Sequence, residues 1–396
     1  MAASSGDSGW VAAARTLYLV AMAIFVVTIG IGIPNALDVV TFDHNQILTH
    51  VHSGTIGWLT LSIVATSFLA FRAADTRLAV ALGVLVPVYV AAFYTGSFAL
   101  RAITGVALLA AIAWLVVWVW RAYLGGSRTL PRLGLALAIS TFALGGVIGV
   151  LLQVGFAAGT NIVPGNGIAA HAGAMTFGYL VLAGMAVQEW RVRRTENVPM
   201  GGLVQMVALA TGGLVITVAL LSGQGELGGM LYLLAELIAI VLFAVRILPR
   251  ALRIDWTAAT EDRFLAGAAI WIVIGLGIFM YLVAQFVAAQ GDESAINPGV
   301  LVASDHSVYI GVISNTTFAL LTTLVATGVG GVLARQAVFW GMNLGLAVFV
   351  AGLLTGTVIA KQVGAPLMGV SLLLGLAVFA LGLYATRRDP APDGLA

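Results

Sequence analysis

The stretch Thr49-His50-Val51-His52-Ser53-Gly54-Thr55-Ile56-Gly57-Trp58 places two imidazoles at the head of a run that stays uncharged until Arg72. A helix needs about 20 mostly apolar residues to cross the hydrocarbon layer of a bilayer, and residues 50–72 reach that length. The pattern recurs along the chain. His52-Ser53-Gly54-Thr55-Ile56-Gly57 is echoed by His171-Ala172-Gly173-Ala174-Met175-Thr176 and by His306-Ser307-Val308-Tyr309-Ile310-Gly311, each opening a long apolar run. Pro164-Gly165 stands seven residues before His171, and Pro298-Gly299 stands eight before His306. A single short match in apolar sequence is weak, but equal placement at a fixed period is the signature of a repeat.

Twelve runs qualify as spans: 13–34, 50–72, 78–97, 102–124, 132–157, 168–190, 201–221, 226–246, 264–290, 303–327, 336–357 and 364–386. The first follows Arg15 and is too long for a signal-peptide core, so it counts as a span. Of 18 basic residues, sixteen fall in the segments on the side of the N-terminus: Arg15, Arg72, Arg77, Arg121, Arg128, Arg132, Arg191, Arg193, Arg194, Arg246, Arg250, Arg253, Arg263, Arg335, Arg387 and Arg388. Only Arg101 and Lys361 fall on the other side. By the positive-inside rule both termini are cytoplasmic. The expectation is an all-α polytopic membrane protein: one membrane domain, 1–396, with three four-helix pseudo-repeats, roughly 1–127, 128–256 and 257–396. In a prokaryotic cell this is a cytoplasmic (inner) membrane protein.

Composition agrees. Among the 396 residues 61% are hydrophobic and 9% charged, against roughly a quarter charged in soluble domains. Mean hydropathy is +1.06. A net charge of +2 is too small for a phosphate-binding surface, so no nucleic-acid partner is expected. No cysteine means no disulfide, thiolate metal site, iron–sulfur cluster or covalently attached haem.

In this topology all five histidines lie at or just below the outer face. One interfacial histidine is commonplace, and His44 reads as such. Four at equivalent helix starts, His50, His52, His171 and His306, read as ligands, because the spans hold almost no other ionisable group. His50 and His52 are two residues apart, about 200° around a helix, so they point to opposite faces and do not share one metal ion. They either serve two cofactors or divide into one ligand and one structural residue. Gly54, Gly57, Gly173 and Gly311 permit close approach of a flat macrocycle or, equally, of another helix.

The run from Thr49 to Trp58 resembles the haem-ligand helix of C-family (cbb-type) haem–copper oxidase subunit I, which carries H-x-H-S-G-x-x-G-W. The resemblance implies twelve helices in three pseudo-symmetric sets, with histidine ligands on the second, sixth and tenth. It implies b-type haem, one or two per chain. The first histidine of the motif would bind a high-spin haem and the second a low-spin haem. In the family the motif lies on the tenth helix, whereas here it is on the second, and two mappings stay open. By chain order, His52 or His50 clamps a low-spin haem with His306, and His171 falls on the copper-ligand helix. By motif, His50 binds a high-spin haem, His52 and His171 bind a low-spin one, and His306 falls on the copper helix. His171-Ala172-Gly173-Ala174-Met175-Thr176-Phe177-Gly178 resembles the family's own second-helix haem site, favouring the second mapping slightly.

The adjacent histidine pair that completes the family's copper site is missing from helices 7 and 11. No third copper ligand is visible, although copper itself is not excluded. Arg101 and Lys361 are the outer cations available to haem propionates. Lys361 matches the family's propionate loop by chain order, and Arg101 its equivalent under the shift. Tyr309 lies on the face of His306. Asp305 reads as a helix cap or as an orienter of the His306 ring. Glu236 is the only acid deep in a span, with a proton role and a helix-to-helix bond equally weighted. The outer acids Asp38, Asp43, Glu226, Asp292, Glu293 and Asp305 suit docking of a cationic electron donor.

These features lead to a divergent subunit-I-like protein that binds haem for electron transfer or for binding or reduction of O2 or NO. Its partners would be the bilayer, an outer-face cytochrome or cupredoxin, or a quinone, with or without further subunits. Catalysis is left open. If the protein is an enzyme, it is an oxidoreductase of the cytochrome c oxidase or nitric-oxide reductase type. The alternatives are a secondary transporter, which the threefold period disfavours, and a copper-binding membrane protein.

Overall fold

The computed structural model describes residues 9–289, 296–325 and 330–386. Arg387, Arg388, Asp292 and Glu293 lie outside these residues. Among the described residues the chain is helical, with no strand. Twelve helices are long and apolar enough to cross a membrane. They are α1 (Gly9–Ala36), α2 (His44–Phe71), α3 (Thr76–Tyr94), α4 (Phe98–Gly125), α5 (Leu130–Ala158), α6 (Gly167–Arg191), α7 (Met200–Leu221), α8 (Gly225–Arg246), α9 (Glu261–Ala288), α10 (Pro298–Leu324), α11 (Gly331–Thr355) and α12 (Val358–Ala385). Every expected span is present and in order.

The ends differ where local capping overrides the hydropathy pattern. α2 begins six residues before the apolar run, because Asp43 and Gln46 form a capping box: each side chain accepts from the other's backbone N–H at 2.9 Å. His44 is therefore an exposed first-turn residue of α2, not a loop residue. Asn166 caps α6 by accepting from Ala169 N, and Asn297 caps α10 by accepting from Gly299 N. Asp305 is not the cap of α10; it lies two turns inside the helix. Pro298 occupies the first turn of α10, while Gly165 precedes α6 in the left-handed region at φ 60°.

The chain forms two compact units. The first comprises the chain up to Thr95, Ile254–Gly267 and the chain from Tyr309 on; the second comprises Gly96–Arg253 and Ala268–Val308. In the first, α1 packs on α2, α3 and α12, and α11 runs along α12. A Cβ on Gly345 would run into the backbone nitrogen of Met368, so the α11–α12 contact needs glycine there. Asn315 and Asn343 exchange amide hydrogen bonds of 2.9 and 3.1 Å between α10 and α11. In the second unit, α5 packs on α4, α6 and α7, and α7 packs on α8. There a buried Glu189 at the end of α6 takes Arg246 at 2.7 Å and a hydrogen bond from Thr195. Arg246 also donates to Gln205 of α7, joining three helix ends.

Outward faces are apolar. On α8, Leu227, Leu231, Leu234, Val241 and Val245 are exposed. Exposed apolar surface repeated on helix after helix is what hydrocarbon, rather than water, covers.

Candidate functional site

α2, α6 and α10 each change from α- to π-helix shortly after a histidine. The π segments are Ser53–Thr60, Thr176–Val181 and Ser307–Ser314. π turns insert an extra residue per turn and occur often at functional sites. None of the other nine spans carries one among the described residues.

The four candidate histidines are half-buried, and each is held in the same way. His50 Nδ1 lies 2.8 Å from Thr28 O, and His171 Nδ1 lies 2.8 Å from Gly145 O. His52 Nδ1 lies 2.8 Å from Leu48 O, and His306 Nδ1 lies 2.9 Å from Val302 O. A carbonyl oxygen only accepts, so each Nδ1 carries the hydrogen. In the neutral ring Nε2 then holds the lone pair that a metal ion requires. A metal-binding histidine is typically oriented by such a bond from its other nitrogen.

Beyond this shared bond the four fall into two kinds. His50 and His171 bond to the helix before their own, and each ring lies over a glycine one turn beyond the accepting carbonyl. A Cβ on Gly32 would sit 2.8 Å from His50 Cε1, and one on Gly149 would sit 2.8 Å from His171 Cε1. The surrounding contacts correspond at constant offsets, 117 residues from α1 to α5 and 121 from α2 to α6. Phe25 stacks on Trp58 with ring centroids 4.7 Å apart, and Phe142 packs on Tyr179 at the same distance. Gly57 abuts Ile24, and Gly178 abuts Thr141. Gly54 faces Thr28, whereas Met175 faces Gly145: the larger residue has changed sides and the contact is kept.

His52 and His306 instead bond within their own helix, to the carbonyl four residues back, and each immediately precedes a π segment of eight residues. Ser53 and Ser307 follow them, both fully buried. At the far end, Thr60 donates to Thr55 O and Ser314 to Tyr309 O, each five residues back at 3.0 Å. α2 thus carries in one helix the two histidine positions that α6 and α10 carry singly. The sequence echo sets His52 beside His171, but the contacts set His50 there. Aligning on the letters H-x-G hides a two-residue shift that only packing against α1 and α5 displays.

His50 and His52 do face different neighbours, as their spacing requires. His50 turns to α1, while His52 stacks on Phe93 of α3 at 3.6 Å and meets Tyr89 edge-on. Gly54 and Gly57 lie against α1 and Gly173 against Ile216 of α7, so helix packing accounts for those three glycines. Within neither unit do three or more His, Cys, Asp or Glu side chains converge as a metal cluster among the described residues.

Arg101 and Lys361 both lie inside helices. Arg101 lies in the first turn of α4 and is 1% exposed, with its guanidinium 5.3 Å from the Phe98 ring. Lys361 lies in the first turn of α12 and donates to both oxygens of Asp38 at 2.9 and 2.8 Å. That hydrogen bond holds the exposed Asp38 carboxyl below the usual carboxylate range. Hydropathy places both cations in loops, because it does not register capping such as that by Ser97, which starts α4 early. In the second unit a cleft of about 670 Å³, lined by Phe98, Leu152, Phe156, Asn161, Val163 and Ile168 among others, opens one turn before His171.

No protein-family model matches the chain, and no curated protein matches it.

Proposed function

We propose that this is a membrane haem protein resembling haem–copper oxidase subunit I, in which His50, His52, His171 and His306 supply ligands to b-type haem iron. The observation that carries this reading is the Nδ1–carbonyl bond shared by all four rings, which presents Nε2 as the ligating atom. The glycines under His50 and His171 add support, because they admit a ring at a position where any Cβ would displace it. The residues present fit axial ligation. Among the described residues they do not converge with further ligands as the family's copper site would require.

The reading includes the orientation and the repeat. Both termini face the cytoplasm, and α1–α4, α5–α8 and α9–α12 are three copies of one unit. The matched contacts of α1–α2 with α5–α6, and the matched π segments of α2 and α10, support the threefold plan. Bound haem would supply a one-electron couple. The chain's own residues hold the ligand rings in one tautomer and one orientation, so little reorganisation accompanies electron transfer. Arg101, buried at the head of α4, and Lys361, bonded to Asp38 at the head of α12, are the two cations this reading assigns to haem propionates. The apolar lining of the cleft before α6 suits a quinone as the small electron-carrying partner.

A reduced-minus-oxidised visible spectrum, with haem and copper quantified on the same sample, tests this. A sharp b-type band that His52→Ala removes is expected. Separate His50→Ala and His171→Ala variants should resemble each other in their spectral effect, since their surroundings match. A colourless protein from haem-sufficient cells would overturn the reading and return attention to transport or copper binding.

A further inference from the structure

Glu236 lies near the middle of α8, eleven residues from Gly225, about 16 Å along the helix axis. It is fully buried, and neither carboxyl oxygen has a hydrogen-bond partner among the described residues. It shares an inward stripe with Gly228, Tyr232 and Phe243, opposite the apolar outer face of the helix. Gly228 sits against Ala219 of α7, and Tyr232 lies over Gly212 of α7 and meets Phe279 of α9 at 5.4 Å. α7 contains no titratable residue between Met200 and Leu221. In α9, Tyr281 is the only one between Ala268 and Ala288, and it is exposed. The basic residue of α8, Arg246, is ten positions further on and engaged with Glu189 and Gln205.

An ionised carboxylate in these surroundings would be a bare negative charge in a medium that solvates it poorly, with no cation on α7 and none on Ala268–Ala288 of α9. Such a charge is among the least favourable arrangements for a membrane-embedded side chain, and one that persists usually marks an ion or proton site. We propose that Glu236 is a proton-binding site: the carboxylate takes up one H+ to become a neutral acid held at mid-membrane depth. This assignment does not depend on haem binding, and it supplies an intramembrane proton store whether the chain moves electrons or solutes.

Infrared spectroscopy of the purified protein at neutral pH reads the proton directly, because a protonated carboxyl has a carbonyl stretch that a carboxylate lacks. The wild type should show that band, shifted in heavy water, and Glu236→Gln should lose it. Absence of the band from the wild type, or its persistence in Glu236→Gln, overturns the proposal. Should the variant fail to fold, dicyclohexylcarbodiimide applied to wild-type membranes decides, since it adds to protonated buried carboxyls. Peptide mapping should then place the adduct on Glu236 and leave the ion-paired Glu189 unmodified; an unmodified Glu236 overturns the proposal.

Discussion

At His171 the ring is fixed from two sides, by Gly145 O on its Nδ1 and by Gly149 beneath its Cε1. Gly149→Val should push the ring off its carbonyl and, if His171 ligates haem as proposed, weaken haem affinity about tenfold or more, the range seen when an orienting partner of a metal ligand is lost. Gly146→Ala is the matched control, since a Cβ there meets only Leu109 and Ile112 at ordinary contact distance. Haem content per chain, read beside the helical circular dichroism, separates a lost ligand from a lost fold. The Asp38–Lys361 pair makes a second prediction at this scale. The folded state holds the Asp38 carboxyl below its unfolded value, so its stabilising effect is present at neutral pH. That effect declines as the pH falls below about 4. Thermal unfolding of Lys361→Met should therefore differ from wild type at pH 7, and the gap should narrow on acidification.

The three π segments show how an element is specified by more than its propensity. An extra residue turns every downstream side chain by roughly 100° relative to an uninterrupted α-helix. Hydropathy counts residues and is blind to that rotation, which is why the run 50–72 was legible as a span while its inner geometry was not. Polar pairing is the other device at this scale. Asn315 is fully buried and exchanges two amide bonds with Asn343, one further Asn315 N–H going to Gly311 O. Asn343→Leu should cost about 1–2 kcal/mol, toward the upper range for interhelical hydrogen bonds in membranes. The double variant with Asn315→Leu should cost less than the sum of the singles. Denaturant titration in mixed micelles measures both.

Across the whole molecule, the charge asymmetry predicts where each loop lies. The chain has no cysteine, so single cysteines can be introduced against a silent background. A cysteine at Ser127 or Thr195 should react with an impermeant maleimide only after the inner face is opened. One at Thr41 or Asn161 should react from outside. The reverse pattern would overturn cytoplasmic termini.

Sequence alone determined the number and order of the spans, the uneven charge of the segments between them and the positions of the histidines. Each follows from a property that adds along the chain: apolar length against bilayer thickness, positive charge counted by loop, and rare imidazoles in a lipid-soluble composition. The tertiary structure decided which carbonyl holds each histidine ring, that Arg101 is buried, and that Lys361 is engaged by Asp38. It also decided that, among the described residues, no group hydrogen-bonds the Glu236 carboxyl, while Glu189 pairs with Arg246, Arg193 and Thr195. Those are properties of the neighbouring helix. The carbonyl over His171, the glycine beneath it and the cation beside Glu189 come from residues 22 to 57 positions away in the chain, brought near only when helices pack.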